Sequence, residues 1–205
     1  MFSRQRFATP AAPTPPTPPT TPMQARSDST RSAVRYSHPA IALHWLLALL
    51  IAVQVGLGWY MLSIEKQPGS HWYFALHISL GLTAAALIGL RMAWRIGNPP
   101  DPLPSSVPPW QMSASRMSHR LLYTLMFLMP LTGYLGAAFS GDGVSYFGLP
   151  LPDWASPNDA LKERFFGLHS IIAWTLVGLV GLHVLGALKH LLIDKDGVFW
   201  RMWPR

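Results

Sequence analysis

The chain has 205 residues, 50% hydrophobic and 12% charged, with a net charge of +7 and no cysteine. Without cysteine there are no disulfides, no cysteine-ligated iron–sulfur clusters and no covalently attached c-type haem. The positive charge lies between and beside apolar blocks of about 20 residues, the length that crosses ~30 Å of hydrocarbon; it reads as topology and lipid-headgroup contact and excludes nucleic acid as the partner.

In chain order, residues 1–35 form a Pro-rich segment containing TPAAPTPPTPPTTP. Its composition predicts a disordered tail with polyproline II character, and it lacks the apolar run of a secretory signal. Residues 36–205 form the membrane domain. Span one is expected at about Ala40 to Leu62, with Trp59 and Tyr60 suited to an interfacial belt. Span two runs from about Trp72 to Leu90 and stops at Arg91 and Arg95. A Pro-rich connection, GNPPDPLPSSVPPW, leads to span three at about His119 to Phe139. Ser118 suits its N-cap, and Pro130 is expected to kink it. A loop from about Ser140 to Glu163 precedes span four, at about Phe165 to Leu192. The predicted fold is therefore all-α, a four-helix transmembrane bundle. Thirteen of the sixteen Lys and Arg fall on the side of the termini and the second connection, against Lys66, Lys162 and Arg164 on the other. The positive-inside rule then makes both termini cytoplasmic.

Span four holds His169 and His183 in its interior, and ionisable groups inside a span are functional candidates by default. They are 14 residues apart, roughly 21 Å along a helix and within roughly 40° of one face. Topology sets the depth of the others: His44 falls on the cytoplasmic side with His183, and His77 on the outer side with His169. Each level thus offers two imidazoles from two helices. Structural zinc needs four ligands and catalytic zinc three plus water, whereas a haem iron needs two axial ligands because the porphyrin supplies four. Gly81, beyond His77, and Gly178, Gly181 and Gly186, around His183, leave room for a flat macrocycle, although small residues also serve helix packing.

The elements ALHW at 42–45, LHISLG at 76–81, SHRLLY at 118–123 with Pro130-x-x-Gly133 after it, and GLHSIIAW at 167–174 followed by GLH at 181–183 resemble bacterial cytochrome b561. This is a four-helix membrane family related to the cytochrome b subunits of nickel hydrogenases. The resemblance covers about residues 36–205. It implies a bacterial inner-membrane protein with two b-type haems, ligated by His44 with His183 and by His77 with His169, while span three shields them without supplying a ligand. It also implies electron transfer between quinone, ubiquinone as the expected substrate, and a donor at the membrane surface. One branch oxidises superoxide at the outer surface. Steering of that anion favours a positive outer face, yet Glu65, Asp142, Asp153, Asp159 and Glu163 outnumber Lys66, Lys162 and Arg164 there.

Other polar residues are candidates near the cytoplasmic level. His119, His190 and Arg91 would suit a quinone carbonyl, and Arg91, Arg95 and Arg120 could pair with haem propionates, since Arg binds carboxylates bidentately. Tyr36 and Ser37 are weaker propionate candidates. His38 and His71 sit at span entrances, and Met61, Met126 and Met129 are expected to pack rather than ligate. Two other functions compete with a self-contained quinone-linked oxidoreductase. One is a membrane anchor that takes electrons from a dehydrogenase or hydrogenase partner subunit. The other is a non-redox transporter or structural bundle.

Overall fold

The computed structural model of the chain describes residues 35–204, so the Pro-rich segment 1–35 lies outside the described residues except for Arg35. Four long helices make up most of the fold: α1 (His38–Ser63), α2 (His71–Gly97), α3 (Pro109–Ala138) and α4 (Asp159–Lys189), which runs on as a π-helical turn over His190–Asp194. All four are long and apolar enough to cross a membrane. A short hairpin, β1 (Ser145–Tyr146) with β2 (Leu149–Pro150), interrupts the α3–α4 connection, and a 3₁₀ turn over Phe199–Arg201 follows α4.

The helix ends obey local chemistry. The Asn158 side chain accepts from the Leu161 amide at 3.0 Å and caps α4, with Asp159 in the first turn and Lys189 in the last, both favourable to the helix dipole. α3 starts ten residues before the span predicted from hydropathy, and Pro109 opens it where a missing N–H costs nothing. Ser118 therefore lies within the helix and is not its N-cap. α2 continues through Arg91 and Arg95 to Gly97. A basic residue ends the hydrocarbon-facing stretch but not the helix, because a long cationic side chain can snorkel.

Neighbours in sequence are neighbours in space: α1 packs on α2, α2 on α3 and α3 on α4. The buried core is small, with Leu47, Ala84 and Ile88 packed against Leu50, Leu87 and Met126 from the first three helices. α4 contributes one buried residue, Leu176. In a bilayer the exposed apolar surface faces acyl chains, and the backbone of each helix is satisfied internally.

The segment after α4 closes one end of the bundle. The Tyr36 amide donates to the Arg201 carbonyl at 3.1 Å. The Trp45 indole donates to the Met202 carbonyl at 2.8 Å, and the Arg35 guanidinium to that of Trp203. Arg201, 3% exposed, donates to the carbonyls of Pro102 and Asp101 at 3.1 and 2.7 Å and lies over the Tyr36 ring. Ser37, whose hydroxyl accepts from the Trp94 indole at 3.1 Å, ties α1 to α2.

Candidate haem site

α4 and α1 touch little through their backbones; imidazoles bridge the space between them. The rings of His44 and His183 lie 6.3 Å apart, centre to centre, with planes at 72°. Those of His77 and His169 lie 6.1 Å apart, with planes at 79°. Two imidazoles bound at about 2 Å on opposite sides of one metal place their ring centres about 6 Å apart. Each pair is partly buried.

The surroundings orient the outer pair. His169 Nδ1 donates to the Met129 carbonyl at 2.9 Å, which fixes the proton on that nitrogen and leaves Nε2 free as a ligand. This contact needs Gly133, because a Cβ there would stand 2.9 Å from the ring's Cε1. His77 Nδ1 is buried without a hydrogen-bond partner. Gly81, read from the sequence as space for a macrocycle, instead faces the Gln54 amide at 3.2 Å. That amide donates to the His77 carbonyl at 3.0 Å. Gly178, Gly181 and Gly186 look onto open space.

At the level of His44 and His183 a third imidazole joins the pair. His119 sits 5.3 Å from the His183 ring, and its Nδ1 donates to the Ser115 carbonyl at 2.7 Å. Three histidines would be a zinc set, but their nitrogens do not converge. Among the described residues, the group close enough to hold a bare ion is His190, Asp194 and Asp196. The paired sites therefore fit a haem, which brings its own equatorial nitrogens, better than a bare metal ion.

The remaining candidates disperse. Arg91 is buried and donates to the Ala40 carbonyl at 2.9 Å. Arg120 is exposed. Arg95 lies 5.8 Å from the Tyr123 ring, whose hydroxyl is buried and unpartnered. Both residues line a recess of about 450 Å³ with Met92, Ile96, Pro99 and Pro100. Tyr123 escaped the sequence reading; its place one turn after His119 was the available signal. His190 Nδ1 donates to Asp196 Oδ2 at 2.7 Å. His38 and His71 are exposed at helix starts, while Met126 packs in the core.

The sequence profile of prokaryotic cytochrome b561 matches residues 35–205. The chain is similar to cytochrome b561 homolog 2 of Escherichia coli (strain K12), 35% identical over 84% of this chain and 93% of that one. It is similar to cytochrome b561 homolog 1 of the same organism, 28% identical over 83% of this chain and 98% of the relative. It is also similar to the probable superoxide oxidase CybB of Yersinia pestis, 26% identical over 83% and 97%. Four spans, paired intramembrane histidines and a profile match along the whole described region lead to one assignment: the chain belongs to the prokaryotic cytochrome b561 family, membrane cytochromes that bind b-type haem.

Proposed function

We propose that the chain binds two b-type haems and carries electrons across the inner membrane to or from the quinone pool. His44 and His183 would hold one haem, His77 and His169 the other. The observation that carries this reading is the pair of imidazole couples, 6.3 and 6.1 Å between centres, at two levels of one helix. Haem supplies a one-electron carrier. Held by two of these imidazoles, each haem would have no position left for substrate, so substrate chemistry would belong at the protein surface or in a quinone pocket. His169 keeps its Nε2 aimed by giving its other proton to Met129.

The quinone is placed at the level of His183. Arg95 and Tyr123 line a recess with Met92, Ile96, Pro99 and Pro100, whose largely apolar walls suit a quinone headgroup. The thirteen basic residues on the side of the termini support a cytoplasmic location for both.

Superoxide as electron donor is the second reading, favoured by the Yersinia relative's name. It has little electrostatic support, because Lys162, one of the three outer cations, is paired with Asp159 at 2.6 Å.

The test is a reduced-minus-oxidised spectrum with pyridine haemochrome quantitation, run beside His169→Ala and His183→Ala. About two b haems per chain, with one lost in each variant, is expected. Haem unaffected by either substitution would overturn the assignment of the ligands. Reduction of the outer haem by superoxide, followed by quinone reduction, would establish the second reading.

A further inference from the structure

The α3–α4 connection does not stay above the bundle. After α3 ends at Ala138 the chain turns, and its hairpin returns along α2. At the tip, the Phe147 amide donates to Ser79 Oγ at 2.9 Å, and the Tyr146 hydroxyl lies 3.2 Å from Thr83 Oγ1. Ser79 and Thr83 are 7 and 11 residues past Trp72, an exposed indole at the start of α2. That is roughly 10 and 16 Å along the helix from the interfacial belt. The tip therefore lies near the depth of His77, two residues from Ser79.

The segment is built for that depth. Residues 144–152, VSYFGLPLP, carry no charge. Backbone groups in hydrocarbon need partners within the protein, and several of the hairpin's have them. Ser145 pairs with Pro150 and Tyr146 with Leu149, and the Leu151 amide donates to the Val144 carbonyl at 2.8 Å. The two-residue turn has positive φ at Phe147 (47°) and Gly148 (84°), as a twisted hairpin requires. A phenylalanine is unusual there, and the bond to Ser79 holds it. Tyr146, 37% exposed, reaches back to Thr83, while the Phe147 and Leu149 side chains are 56% and 69% exposed.

We propose that the 144–152 hairpin is a re-entrant element embedded in the bilayer, with Phe147 and Leu149 packed among lipid acyl chains. The absence of native cysteine makes the test direct. Phe147→Cys and Leu149→Cys, each carrying a nitroxide label, would be compared in phosphatidylcholine–phosphatidylglycerol vesicles with Asp142→Cys on the loop rim. Val53→Cys on the exposed face of α1 gives the reference for lipid. The readout is the collision rate of each label with oxygen against that with a water-soluble nickel chelate. The proposal expects the oxygen-to-nickel ratio at 147 and 149 to match that at 53 and to exceed that at 142. Nickel access at 147 and 149 equal to that at 142 would overturn it. Low access to both reagents would overturn it too, because the hairpin would then be covered by another protein copy. Both side chains are exposed, so neither substitution removes a buried contact, and the two sites report independently.

Discussion

At the scale of single residues, the proximity of the paired rings follows from arithmetic on depth: helix direction and position along each span place His44 near His183 and His77 near His169. Their surroundings were less legible. Gly133 was visible as part of a Pro-x-x-Gly motif, but a helical repeat cannot say which ring rests on a glycine. The structure puts the His169 ring there, with no room for a methyl group. Gly133→Ala is expected to swing that ring off the Met129 carbonyl and to cost the chain about half its haem, the outer one. Haem per chain, with His183→Ala as the complementary loss, checks this. Tyr123 was hidden because the residues that share its recess come from the end of α2 and the connection after it, whose approach no local pattern encodes.

At the scale of elements, the number and type of helices were readable because bilayer thickness imposes blocks of fixed length. Their ends were not, because helices run past the hydrocarbon edge where hydropathy falls silent. The first ten residues of α3, PWQMSASRMS, mix polar and apolar side chains without a sustained apolar block, so only Pro109 signals them. The hairpin was read simply as loop, since two strands of two residues fall below any periodic signal. Where a boundary rests on a cap, its energy can be stated. Asn158→Ala removes the side-chain acceptor for the Leu161 amide and is expected to destabilise by about 1 kcal/mol. Thermal unfolding in detergent would show a slightly lowered midpoint with an unchanged haem spectrum.

At the scale of the whole molecule, the chain behaves as a bundle whose interior is only partly filled by its own side chains, so stability is concentrated where polar groups lock segments together. Arg201 is the clearest case, buried and bonded to two carbonyls of the α2–α3 connection. Arg201→Met would leave those acceptors without their donor, at a cost of about 2–4 kcal/mol. The expected result is a clearly lower unfolding temperature and earlier proteolysis of the C-terminal segment. Orientation is a property of the same scale. Alkaline phosphatase fused after residue 205 should be inactive and a fluorescent protein there bright; active phosphatase would reverse the assignment of sides.

The pairing of histidines also has a consequence in time. Each couple takes its first member from α1 or α2 and its second from α4, the last of the four to leave the ribosome. A nascent chain that has inserted three helices holds half of each couple and can complete neither. Maturation thereby waits for the fourth helix. The segment that bonds Tyr36, Trp45 and the Asp101–Pro102 stretch emerges later still, so that end of the bundle is sealed only after both couples can form.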